Sequence, residues 1–158
     1  MGGYAKGYAL DQAKNILEQY NINNALINIG GNILALGMQG DKEWVVGIQD
    51  PRNPNLMASL PLKPGWSIGT SGDYQKYFTV NKKRYSHIID PRTGYPASGI
   101  ISVSVFAKQT ELADALATGI FVLGIEVGLD LVNQLNRIGC IIVDDKGAIH
   151  VSKNIDIK

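Results

Sequence analysis

The chain has 158 residues, of which 45% are hydrophobic and 18% charged, with a formal net charge of +1. That is enough apolar chain for one domain with its own core, and a near-neutral balance without a clustered basic face argues against a nucleic-acid partner. No stretch is long and apolar enough to span a bilayer, no signal peptide is visible, and the single cysteine, Cys140, excludes an internal disulfide.

The chain opens Met1-Gly2-Gly3-Tyr4-Ala5-Lys6-Gly7-Tyr8, inside a motif with no leading strand, so an upstream portion is expected. Residues 6–20 read as an amphipathic helix whose apolar face is Ala9, Ala13, Ile16, Leu17 and Tyr20. Residues 25–29 and 32–36 read as strands about the Gly30-Gly31 bend, and 43–49 as a further strand in hairpin order. An irregular stretch at 50–54 leads to 56–62, an edge strand by its prolines. Strands at 77–80 and 84–89 flank a basic tip, Lys82-Lys83-Arg84, read as solvated. Asp90-Pro91-Arg92-Thr93-Gly94 is a turn signal, and 102–107 alternates as a strand. Helices are expected at 111–123, with Thr110 as N-cap and Gly124 as terminator, and at 127–135. A last hairpin pairs 138–143, which holds Cys140 as a small buried hydrophobe, with 148–151. Asp144-Asp145 belongs to its turn, and His150 is read as a surface residue. Strands in hairpin order with interspersed helices predict an α+β domain with a largely antiparallel sheet and flanking helices.

Four segments could carry chemistry, and each also has a plainer structural reading. Gly2 to Ala9 is a glycine-rich helix mouth whose N–H groups, with Lys6, could face an anion; it could equally be a simple helix start. Thr70-Ser71-Gly72-Asp73-Tyr74 lies between two strands, where its hydroxyls could hold a ligand oxygen or bond their own backbone. His87, in Ser86-His87-Ile88-Ile89-Asp90, sits where a strand runs into a rigid turn. Its imidazole could take a proton near neutral pH, or be bonded within the sheet. Asp114 and Thr118 are four residues apart and share a face of an otherwise apolar helix. They offer oxygen ligands of the kind Mg²⁺ takes, or serve the helix dipole and an upstream carbonyl.

In their order and spacing, residues 2–11, 25–37, 70–74, 87–94 and 113–124 together resemble the ApbE family of FAD:protein FMN transferases. The resemblance covers the whole chain as the carboxy-terminal portion of the family's flavin transferase domain, residues 1–158, with the amino-terminal portion missing. It implies a T-fold-related α+β fold. Asp114 and Thr118 then match Mg²⁺ ligands, and Gly3 matches a backbone-carbonyl ligand to the same ion. Lys6 matches an FAD contact. His87 and Ile88 match the wall of the flavin site, with His87 as candidate base, while Thr70, Ser71 and Gly72 match a loop near the cofactor phosphates.

The implied activity is Mg²⁺-dependent transfer of FMN from FAD to a threonine hydroxyl of an acceptor protein, with release of AMP. The implied acceptors are subunits of respiratory redox complexes or similar flavoproteins. Two alternatives stay open: an FAD pyrophosphatase, and a truncated noncatalytic flavin- or nucleotide-binding module. The family is commonly extracytoplasmic and held to the membrane by an anchor in the missing portion. An older label ties it to thiamine biosynthesis, for which these residues show no chemical basis.

Overall fold

The computed structural model describes residues 2–49, 52, 56–74, 77–80 and 83–155. In chain order these form α1 (Ala5–Gln19), β1 (Ala25–Ile29), β2 (Asn32–Leu36), β3 (Trp44–Gln49), β4 (Leu56–Leu62), β5 (Ser67–Gly72), β6 (Tyr77–Val80) and β7 (Lys83–Ser86). They continue with β8 (Ile100–Ala107), α2 (Thr110–Leu123), α3 (Ile125–Gln134), β9 (Gly139–Asp144) and β10 (Ile149–Val151). One six-stranded sheet has the order β1-β2-β5-β8-β9-β10, with every neighbouring pair antiparallel. The α+β expectation holds.

Both faces of the sheet are covered, which is why all eight residues of β8 and all six of β9 are buried. Val103 and Val105 turn to the helical face, where Ala113, Ala117, Ile120 and Phe121 of α2 and Val132 of α3 close a core. Each fully buried large side chain there stabilises the fold by about 1.5–3 kcal/mol. Ile68 and Phe106 face the other way, against Val46, Ile48, Leu60 and Leu62 of the separate β3–β4 hairpin. That hairpin has no third strand among the described residues, and so it tolerates Pro61 within β4. Cys140 is fully buried in the helical-side core, as read, and burial pushes its thiol up to about 11.

Several boundaries and faces differ from expectation. The apolar face read for α1 is wrong: Ile16 is 53% and Tyr20 75% exposed, while Gly7 and Leu10 are the buried residues. The helix docks through a close backbone approach at glycine, and apolar bulk cannot serve that contact. Thr110 is the first residue of α2 and not its cap; the N-cap position is Gln109, which makes no side-chain cap bond. β8 begins two residues before the expected 102, and α3 begins at Ile125, directly after Gly124, whose φ of 91° ends α2. β7 stops at Ser86 because the Ser86 hydroxyl accepts the Ile88 N–H and bends the chain. Beyond it, Ile89 makes only an isolated bridge to Pro96.

His150 is half-buried, not a free surface residue, because its Nε2 lies 3.0 Å from Asp144 Oδ2. Asp144 does belong to its turn, accepting the Lys146 and Ala148 N–H groups. Of the basic tip, Lys82 lies outside the described residues, as do most of 50–54. Arg84 covers the Tyr77 ring at 4.1 Å.

Gly119 lies in the interior of α2, is exposed, and has open space where a Cβ would stand. Gly119→Ala should therefore raise the unfolding free energy by about 0.5–1 kcal/mol, read as a higher urea midpoint at constant slope.

Candidate active site

Asp114 is 1% exposed, and two glycines explain how its backbone came to be there. At Gly69 of β5, a Cβ would stand 2.4 Å from the Asp114 nitrogen, so α2 rests directly on the strand. At Gly7 of α1, a Cβ would stand 2.4 Å from the Thr110 carbonyl oxygen, so α1 rests directly on α2. Asp114 is thus enclosed between a strand and a helix. A carboxylate so placed needs partners, and its Oδ2 accepts the Gly7 N–H at 2.9 Å. That N–H is one of the donors that the start of a helix leaves without an internal partner.

One turn along α2, Thr118 places its hydroxyl 3.0 Å from the Ser71 hydroxyl of β5 and donates to the Asp114 carbonyl at 3.3 Å. Gly3 lies against it: a Cβ there would meet Thr118 Oγ1 at 2.4 Å. The Asp114 carboxylate, the Thr118 hydroxyl and the Gly3 backbone form an oxygen-rich corner at the glycine mouth of α1.

This corner is part of a cleft of about 890 Å³, inside the range of roughly 300–1,000 Å³ typical of small-molecule sites. Gly3, Lys6, Thr70, Ser71, His87, Ile88, Asp114 and Thr118 all line it. Eight of the nine residues singled out from the sequence therefore meet in one place. Gly72 does not line it; a Cβ there would touch the Tyr74 ring, on the side of a separate, smaller cavity of about 140 Å³. The segment 70–72 is also a strand, not a loop, and its alternation sends neighbouring side chains to opposite faces. Ser71 faces Thr118 of α2, whereas the Thr70 hydroxyl bonds that of Ser104 at 3.2 Å.

The wall carrying His87 and Ile88 is held by the turn that follows. Asp90 takes a forked bond from Arg92, whose Nη2 also donates to the Val122 carbonyl of α2 at 2.8 Å. The Arg92 guanidinium holds the Asp90 carboxyl below its ordinary range. The contribution of this clamp is present above the ordinary carboxylate pKa and is lost as pH falls through the lowered one. Ile88 is buried, while His87 stands exposed at the mouth.

Some residues that shape the site were not singled out from the sequence. Asp11 bonds the first two amides of α2, and Asn32 accepts the Thr70 N–H at 3.0 Å beyond the last β2–β5 pair. The Asn32 position directly after Gly30-Gly31 was the available signal; Asp11 reads as an ordinary helix-surface carboxylate.

The ApbE family model matches residues 1–142. This chain belongs to the ApbE family. A Rhodobacter capsulatus FAD:protein FMN transferase is 40% identical over 149 residues, covering 94% of this chain and 28% of its own length. The crystal structure of the ApbE protein of Thermotoga maritima superposes with a TM-score of 0.87 at 41% identity, over 96% of this chain and 50% of that one. The apo form of the ApbE flavinyl transferase of Pseudomonas stutzeri gives 0.80 at 32% identity, over 96% and 48%. The chain thus spans half or less of these ApbE relatives, and its cleft lies within the shared part.

The Gly7 contact gives this ApbE chain a test opposite in sign to that of Gly119. Alanine is the better helix former by about 1 kcal/mol, yet Gly7→Ala drives a Cβ into backbone. It should lower the unfolding free energy by about 1–3 kcal/mol in urea titration.

Proposed function

We propose that this chain supplies the Mg²⁺ and pyrophosphate side of a site that transfers FMN from FAD to a threonine hydroxyl of an acceptor protein. The observation that carries the proposal is the convergence of the glycine mouth, the Thr70–Ser71 strand end, the His87 bend and the Asp114–Thr118 helix face on one cleft. The relatives' names supply the FAD, the FMN and the acceptor protein.

The donor set suits the ion. It is all oxygen, it contains one buried carboxylate with no cationic partner among the described bonds, and it is thin. No group of three His, Cys, Asp or Glu side chains gathers anywhere among the described residues. Mg²⁺ is commonly held by one or two carboxylates with substrate phosphate and water completing its shell. Asp114, Thr118 and the Gly3 carbonyl would hold it. Bound there, it would neutralise charge on the pyrophosphate and on the departing AMP.

The chain's own groups do the rest. Lys6 and the N-terminal amides of α1 line the same cleft and attract the diphosphate. Ser71 and Thr70 border its path, and Ile88 offers a buried apolar wall to the flavin. His87, at the open mouth, is where a threonine presented by another protein would enter. An imidazole nitrogen takes the hydroxyl proton as the threonine oxygen bonds to the FMN phosphorus. The phosphorus–oxygen bond to AMP breaks, leaving FMN as a phosphoester on the threonine.

Incubation with FAD, Mg²⁺ and a threonine-containing acceptor from a respiratory redox flavoprotein tests this. It should yield flavin fluorescence on the acceptor and one AMP per flavin. AMP released equally without acceptor would make the activity hydrolytic, and neither AMP release nor FAD binding would remove the proposal.

Asp114→Asn keeps an oxygen for the Gly7 N–H, so it should fold normally and lose at least ~100-fold in Mg²⁺-dependent turnover; undiminished turnover would rule out the metal role. His87→Ala should slow transfer by about 10²–10⁴-fold with FAD affinity little changed. An equal loss in both, by stopped-flow transfer and FAD titration, would reduce His87 to a binding residue.

A further inference from the structure

We infer that Asp11 is a positioning residue for the proposed metal corner, acting through a reciprocal capping arrangement between α1 and α2. Neither helix caps itself: Tyr4 and Gln109, at the two N-cap positions, make no side-chain cap bond. Each helix is capped by a carboxylate of the other. Asp11 of α1 accepts the Thr110 N–H with Oδ1 at 3.0 Å and the Glu111 N–H with Oδ2 at 2.9 Å. Asp114 of α2 accepts the Gly7 N–H at 2.9 Å. Each carboxylate thus meets the positive end of the other helix's dipole.

These bonds belong to a ladder. The helices run antiparallel with their amino-terminal turns side by side, and the contacts recur every four residues, about one helical turn. The first rung is Asp11 with Thr110, the second Gly7 with Asp114, the third Gly3 with Thr118. The second and third rungs contain the residues proposed to hold Mg²⁺, namely Asp114, Gly3 and Thr118. The first contains no metal donor, yet it is the only bidentate one, and it sets the register of the other two. Glycine at the second and third positions leaves the backbones no side chain with which to resist sliding there, so the offset is fixed by the Asp11 fork, beside one exposed bond from the Tyr4 hydroxyl to the Glu111 carboxylate at 2.9 Å. Metal sites are sensitive to the partners that orient their ligands, typically by 10–100-fold in affinity. The inference rests on the reading of Asp114 and Thr118 as metal ligands, and the experiment separates the two.

Mn²⁺ is titrated into the protein with FAD present, and free Mn²⁺ is followed by electron paramagnetic resonance, so that no turnover is needed. Four variants are compared with the parent: Asp11→Ala, Asp11→Asn, Asp114→Asn and Val132→Ala. The last removes fully buried bulk from α3, away from the ladder, and controls for lost stability. Asp11→Ala should weaken Mn²⁺ binding by about 10-fold, and Asp11→Asn, which keeps one acceptor oxygen, by less. Val132→Ala should lower the melting temperature without moving Mn²⁺ affinity.

Should Asp11→Ala not fold, the Asp11→Asn shift decides by itself. Loss in Asp114→Asn with parental affinity in both Asp11 variants overturns the positioning role and leaves the metal reading standing. Parental affinity in Asp114→Asn overturns both. A Val132→Ala loss as large as that of Asp11→Ala reduces Asp11 to a general stabilising residue.

Discussion

A carboxylate taken almost wholly out of water, with backbone amide and helix dipole as its described compensation, is the constraint around which this half of the molecule is arranged. Burying the Asp114 charge is unfavourable unless donors come to it. The fold brings them by allowing a strand and a helix to approach α2 at backbone distance, and only glycine at positions 7 and 69 permits both approaches. Substituting either glycine disturbs the electrostatic environment of the carboxylate as well as the packing. Packing and charge are therefore coupled here: the contacts that hold α1, α2 and β5 together also leave an oxygen-lined corner at the end of a helix mouth.

The sheet serves that corner unequally on its two faces. On the helical face α2 is packed into the core through Ala113, Ala117, Ile120 and Phe121 while its polar pair lines the cleft. The opposite face is closed by a two-stranded hairpin over Ile68 and Phe106 and leaves a small separate cavity lined by Thr70, Ser102, Ser104 and Tyr74. Thr70 borders both spaces. The period-two geometry of β5 thus gives adjacent hydroxyls different work: Ser71 braces α2 through Thr118, and Thr70 braces the neighbouring strand.

The third wall is built differently. His87 and Ile88 lie on a bend, not on a regular element, and their position depends on the Asp90–Arg92 fork and its reach to the end of α2. A bend held at one end by a turn can present one residue to solvent and the next to the interior, and that is the division seen between exposed His87 and buried Ile88. The scaffold that carries these walls is shared with the ApbE proteins of Thermotoga maritima and Pseudomonas stutzeri over 96% of this chain.

Hydrophobic periodicity, turn residues and motif order were legible in the sequence because they depend on local geometry. The alternating strands, the Asp-Pro-Arg-Thr-Gly turn, the Gly124 stop and the Asp114–Thr118 spacing each follow from contacts within a few residues. The order of the motifs was enough to indicate the family, and eight of nine selected residues share the cleft. What the chain alone could not reveal were relations between distant backbones. Gly7 reads as part of a glycine-rich helix mouth and not as a packing contact, Asp11 reads as an ordinary member of an amphipathic helix, and the apolar pattern there points to the wrong face. Thr110 looks like a cap, but its amide is capped by a residue 99 positions earlier. Helix capping is usually local, so nothing near Thr110 signals the exchange; only the antiparallel docking of α1 on α2 brings the two carboxylates to each other's amides.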